Sequence, residues 1–419
     1  MNISLEISTV SGSLAAPPSK SMMQRVCAAA YLHRGRTTIL NPGVSEDDRA
    51  AIDIIRQLGA CVDEEDGLMV VTGGTNQHLA SELNCGESGL SARLFTPIAA
   101  LHAQPVLISG TGSLPKRPMH FFAEVLPKLG VRLPGFSGHI PFTVQGPLSP
   151  GDITVQGALS SQFISGLLFA YTAAATRKVS ICVENPVSTP YIDLSILVLE
   201  LFGKPIRQTG HHLFEIDPAS FSSPEQLTVT VEGDWSSAAF WIAAASLCGS
   251  IELKGLAEDS RQADRAIVSL LQSAGADLRW QGGELVVRQA ALSGFEADLT
   301  DCPDLFPVLA VLAASCKGRS VLKGVQRLAH KESDRAQSIS ELLSLLQVSH
   351  TLEGDLLTIE GKEGFPPFSY SIPHDHRMAM AAALAALKAA GPVSLGNTEA
   401  VAKSYPSFWT HVQQYCCPS

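Results

Sequence analysis

The sequence predicts an α/β protein of two domains, and three observations lead to that class. The chain has 419 residues, more than one hydrophobic core ordinarily supports. An apolar-periodic helix end closing on a turn and a strand recurs every 71 to 73 residues. A second series of Ala-rich, almost wholly apolar helices runs in step with it.

In chain order, residues 1–16 alternate short apolar and polar side chains and predict one first strand; they lack the basic start and long apolar stretch of a secretory signal. The first helix end carries Ile52, Gly59 and Val62. The pattern returns in Glu124, Gly130 and Leu133, in Leu194, Gly203 and Ile206, and in Ile267, Gly275 and Leu278. A fifth copy, without glycine, ends near Gln347, and residues 408–415 supply a sixth, so six units fill the chain. The apolar helices begin near Lys20, Gly89, Ser161, Ser236, Leu305 and Arg377. Each unit thus holds an exposed amphipathic helix and a second one, such as 158–175 or 377–390, that is apolar on nearly every side and belongs in a core. Short alternating segments between them, including 68–72, 228–232 and 284–288, read as strands.

Composition narrows the function. The chain is 45% hydrophobic and 17% charged, which describes a folded protein, and its net charge of -10 argues against a nucleic-acid partner. Apolar runs such as 168–175 and 378–387 are well short of the roughly 20 residues a membrane helix needs. Nine cysteines without a C-x-x-C pair fit a reducing compartment, so the expectation is a cytoplasmic protein with no membrane partner. If the ligand is an anion, its positive site must be local.

The starts of the apolar helices supply such a site. Free N–H groups and the positive end of the helix dipole favour an anion there by about 0.3–1 kcal/mol each. Lys20, Ser21 and Arg25 sit at one start, with Ser21 and Arg25 four apart on one face, a geometry suited to a phosphate or carboxylate. Gly89 opens another helix, where a missing side chain lets an anion approach the backbone. Lys116 and Arg117 precede Pro118, which can open the next helix. Ser160, Ser161 and Gln162 offer two hydroxyls and an amide at one start. Lys331, Glu332, Ser333, Asp334 and Arg335 form the densest cluster, read as a helix start with Lys331 and Arg335 four apart. Asp375, His376 and Arg377 begin the last buried helix; His374 and His376 lack the spacing of a metal motif, and no metal or cofactor is expected. Plain N-capping accounts for Ser236 but poorly for Lys20, Arg25 and Arg377.

Taken together and in order, these segments resemble the 5-enolpyruvylshikimate-3-phosphate synthase family of enolpyruvyl transferases over essentially the whole chain. Ser188 with Pro190 and Tyr191, Glu232-Gly233-Asp234 with Ser236 and Ser237, Asp304 and Lys403 complete the ordered set. The resemblance implies six βαβαββ units, three per domain, with buried helices pointing to an interdomain cleft. One domain would combine residues 1–13 with 231–419 and the other would span 14–230. It also implies transfer of the enolpyruvyl group of phosphoenolpyruvate to the 5-hydroxyl of shikimate 3-phosphate, in chorismate biosynthesis; apart from the resemblance, the expectation is a monomer. By the same resemblance Asp304 is the base, Glu332 the proton donor to carbon, and Lys20 assists the departing phosphate. Shikimate 3-phosphate would be held by Lys20, Ser21, Arg25, Ser160, Ser161, Ser188, Tyr191, Asp304 and Lys331, and phosphoenolpyruvate by Lys20, Gly89, Arg117, Gln162, Arg335, Arg377 and Lys403.

Pro18, Met23, Gln24 and Glu87 depart from the commoner family pattern, as do Arg327 and Ala329 upstream of Lys331. Glu87 is the oddest, because a carboxylate beside an anion site needs a partner, for which Lys116 and Arg117 are candidates. A sister transferase acting on a UDP-amino sugar would carry a reactive cysteine that is missing between Cys85 and Cys182. A non-catalytic anion binder would not need Asp304 and Glu332 among the cations.

Overall fold

The computed structural model describes residues 2–65, 67–74, 80–329 and 331–417, with the Cys417 side chain excepted. The chain divides into two compact units, Met1–Pro17 with Gly233–Ser419, and Pro18–Glu232.

The continuous unit contains α1 (Lys20–Leu32), α2 (Glu46–Gln57), α3 (Gly89–Ala99), α4 (His120–Val125), α5 (Ser161–Ala174) and α6 (Thr189–Leu201). The discontinuous unit contains α7 (Trp235–Cys248), α8 (Ile267–Ser273), α9 (Phe306–Ser315), α10 (Arg335–Leu345), α11 (His376–Ala386) and α12 (Phe408–Tyr415). Odd-numbered helices are the apolar series: every residue of α3 and α11 is buried, as is all of α9 except Ser315. Within each unit the three pack on one another, α1, α3 and α5 in one and α7, α9 and α11 in the other. Alanine makes this close approach possible, and Gly166 of α5 goes further, since a Cβ there would collide with the Arg93 carbonyl of α3. Each large apolar side chain so buried contributes about 1.5–3 kcal/mol. Even-numbered helices are more exposed; Ser45 caps α2 in a reciprocal pair with Asp48, three acidic residues following in its first turn.

Among the described residues three sheets belong to each unit, and one pairing plan recurs in all six: a parallel pair of strands, one of which also pairs antiparallel with another neighbour. In one example Val179–Glu184 runs parallel to Ile153–Gln156 and antiparallel to Leu213–Ile216, with alternate residues buried. The parallel pairs need crossovers, which the helices supply.

Residues 2–16 contain two strands, where the alternation predicted one. Asn2–Leu5 pairs with Val393–Gly396, and Thr9–Ala15 pairs with Gly249–Lys254, so they serve different sheets. The strand expected at 228–232 lies at Gln226–Thr230, because the Glu232 carbonyl accepts from Ser19 N at the start of α1. Pro118 does not open a helix; α4 starts two residues later and turns into a 3-10 segment, Leu126–Leu129, at Pro127. The helix expected to include Lys331 begins only at Arg335, with Asp334 as its cap, so Lys331 and Arg335 share no helical face.

Candidate active site

In the continuous unit, the buried helix starts are stitched together by polar side chains. Ser19 caps α1, Ser88 caps α3 and Ser160 caps α5. Lys20 Nζ lies 2.8 Å from Asp47 Oδ2, whose position at the start of α2 reaches back to α1. Arg25 is 1% exposed and donates to Ser195 Oγ (2.7 Å), Ser21 O (2.7 Å), Tyr191 O (3.1 Å) and Ser165 Oγ (3.4 Å). It therefore meets the Ser21 carbonyl across one turn of the helix. All four acceptors are neutral, and burial without a carboxylate pushes the guanidinium down to about 10.

Arg93 was missed by sequence reasoning, although a lone arginine in the otherwise uncharged α3 is a signal. Its Nη1 donates to Gln162 Oε1 at 2.7 Å and its guanidinium lies 5.0 Å from the Phe163 ring centroid. Of the basic pair, Lys116 is exposed while Arg117 turns inward and donates to Ser113 Oγ at 3.0 Å. Both arginines crowd Gly89, where a Cβ would stand 2.7 Å from Arg117 Nη1 and 3.0 Å from Arg93 Nη1. The glycine makes room for two guanidinium groups as well as for any ligand. Gln24 also finds a reason: its Oε1 accepts from Ser88 Oγ (2.9 Å) and Ser91 Oγ (3.0 Å), tying α1 to the start of α3. Met23 is core. Glu87 packs against Gly112. Ser188 adopts a left-handed conformation at the cap of α6, with φ 51°.

The discontinuous unit builds a different cluster around Arg335, which is 1% exposed. Its Nη1 bonds Asp304 Oδ1 at 2.6 Å, its Nη2 bonds Glu332 Oε2 at 2.8 Å, and its Nε bonds Asp375 Oδ2 at 2.8 Å. Asp304 stands in a 3-10 turn, Pro303–Leu305, just ahead of α9. Lys331 Nζ lies 3.3 Å from Asp304 Oδ1, and Arg377 Nη2 lies 3.7 Å from Oδ2. Asp375 caps α11 by accepting from Arg377 N (2.9 Å) and also accepts from Ser333 Oγ (3.0 Å). Lys403 is buried in the 3-10 turn Thr398–Lys403, which packs on α11.

Burial alone would raise the Asp304 pKa, but Lys331, Arg335 and Arg377 override it and hold the carboxyl well below the ordinary carboxylate range. Burial lowers the Lys331 ammonium despite Asp304. Burial opposes charge on Arg335 too, yet Asp375, Glu332 and Asp304 keep it well above its usual value. The cluster thus presents an ionised carboxylate, two further carboxyl groups beside it and three cations. Such a set can receive and return protons next to a bound anion. Among the described residues, no group of three His, Cys, Asp or Glu side chains is arranged to hold a metal ion, and no helix is long and apolar enough to cross a membrane.

The architecture is that of the enolpyruvyl transferase fold: the crystal structure of the enolpyruvyl transferase NikO from Streptomyces tendae superposes with a TM-score of 0.78 at 17% identity, covering 98% of this chain and 96% of that one. The EPSP synthase (3-phosphoshikimate 1-carboxyvinyltransferase) family profile matches residues 5–412, and the chain belongs to that family. A 3-phosphoshikimate 1-carboxyvinyltransferase from Aeropyrum pernix is 37% identical over 404 residues, covering 96% of this chain and 92% of the relative. The solved EPSP synthase from Acinetobacter baumannii has a TM-score of 0.84 at 25% identity, with 99% and 98% covered.

Proposed function

We propose that the chain transfers the enolpyruvyl group of phosphoenolpyruvate to the 5-hydroxyl of shikimate 3-phosphate and releases phosphate, through a tetrahedral ketal. The observation that carries the assignment of roles is the cluster in which Asp304 and Glu332 share Arg335, with Lys331 and Arg377 alongside. Asp304 takes the hydroxyl proton as the oxygen bonds to the substituted alkene carbon, and Glu332 protonates the terminal carbon. Collapse of the ketal breaks the carbon–oxygen bond to phosphate, which leaves beside Lys20, and the carbon gives its proton back.

As it stands Asp304 is a weak base, because three cations stabilise its ionised form. Anionic groups of the substrates, on reaching Lys331, Arg335 and Arg377, take up part of that attraction and return Asp304 toward a useful basicity. In this reading Lys20, Ser21, Arg25, Ser160, Ser161, Ser188, Tyr191, Asp304 and Lys331 hold shikimate 3-phosphate. Lys20, Gly89, Arg117, Gln162, Arg335, Arg377 and Lys403 hold phosphoenolpyruvate.

Mixing the chain with both substrates and following phosphate release tests the assignment; normal binding of both with no turnover would overturn it. Asp304→Ala should still bind both substrates, measured by calorimetry, while turnover falls by about 10²–10⁴-fold. Unchanged turnover would remove Asp304 from its role.

A further inference from the structure

The start of α7 carries a motif, Asp234-Trp235-Ser236-Ser237, that the roles above leave unused, and it leads to a buried carboxyl. Asp264 is 1% exposed and lies in the 3-10 turn Ala263–Ala266. That turn is clasped to α7: Trp235 N donates to Gln262 Oε1 at 3.1 Å, Gln262 Nε2 donates to Gly233 O at 2.8 Å, and Ser236 Oγ donates to Asp264 Oδ2. The other oxygen, Oδ1, is buried with no hydrogen-bond partner among the described residues. The groups facing Asp264 are Asp234 from the cap of α7, Asp304 and the Cys302 thiol from the turn before α9, and Arg377 from α11; Arg265 on its own turn is exposed.

Arg377 carries the complement. Its Nε and Nη1 are buried without a hydrogen-bond partner among the described residues, and its ion pair with Asp304, at 3.7 Å, is too long to be a hydrogen bond. A buried spare acceptor and buried spare donors in one cluster are costly unless they serve a change of state.

We propose that Asp264 is a positioning residue for Arg377: when neutral it leaves the guanidinium to an incoming carboxylate, and when ionised it competes for the guanidinium and repels that carboxylate. The idea rests on the reading that Arg377 holds phosphoenolpyruvate. Burial and then the charge of Asp304 push Asp264 up to about 7. An anion bound at Arg377 raises it further, so binding favours the protonated form, and affinity falls as pH rises through neutrality.

The test compares wild type with Asp264→Asn, which is fixed in the neutral state, from pH 6 to pH 8. The ratio of their KM values for phosphoenolpyruvate should rise about fivefold across that range, wild type over variant, for a one-unit rise of the carboxyl on binding, while the kcat ratio stays level. The ionisation of phosphoenolpyruvate itself cancels in the ratio. A ratio independent of pH overturns the proposal. Ser236→Ala removes a hydrogen bond that favours the ionised form, so it should move the rise to higher pH; if Asp264→Asn does not fold, an unmoved profile in Ser236→Ala overturns the proposal instead. Arg377→Gln separates the two claims. An unchanged KM in that variant defeats the placement of phosphoenolpyruvate, whereas a raised KM with a flat Asp264→Asn ratio defeats only the role of Asp264.

Discussion

Arg25 in the continuous unit and Arg335 in the discontinuous one are each 1% exposed, yet they are held by opposite chemistry. Arg25 rests on two hydroxyls and two backbone carbonyls, so its positive charge is solvated by the protein but not cancelled. Arg335 is gripped by Asp304, Glu332 and Asp375, so its charge orders three carboxylates before any substrate anion arrives. A neutral cradle suits a residue that must greet an external anion. A charge-paired one suits a cluster whose protonation states must be set.

The comparison can be broken most sharply through stability. Arg335→Met leaves Asp375, which is fully buried, without its main partner, and should cost about 3–5 kcal/mol in a denaturant titration. Arg25→Met should cost less, because the one Ser195 hydroxyl proton keeps an acceptor within reach in Tyr191 O at 2.9 Å or Ser165 Oγ at 2.8 Å; equal losses would show that the two cradles do not differ. The second expectation concerns binding. Arg25→Gln should weaken shikimate 3-phosphate by about 1.5–3 kcal/mol, roughly ten- to a hundredfold, with phosphoenolpyruvate binding measured alongside as the less affected control. The smallest effect belongs to Gly89→Ala. The added methyl must displace Arg117 or Arg93, and the KM for phosphoenolpyruvate should rise about tenfold or less while the melting temperature changes little. Unaltered kinetics would mean that neither guanidinium is held by that contact.

Much of the candidate site was legible because capping and charge placement are local. Lys20, Gly89, Ser161 and Arg377 stand within the first two positions of their helices, where the sequence put them within a residue. Lys331 was misplaced because a helical spacing of four was read through Asp334, whose side chain caps the helix and so excludes the residues before it. Arg93 lies a full turn inside α3, so its lone charge marks it in the sequence but its partners are set only when Gln162 and Phe163 arrive from α5.

The sequence by itself determined the α/β class, the two alternating series of helices and the residue types at their starts, because periodicity and capping act over a few residues. Tertiary structure alone decided which charges are neutralised. The acceptors that cradle Arg25 come from up to 170 positions away and the carboxylate that clamps Arg335 from 40. A hydrogen bond must be placed to within a few tenths of an ångström, and only the packing of separate helices supplies that precision.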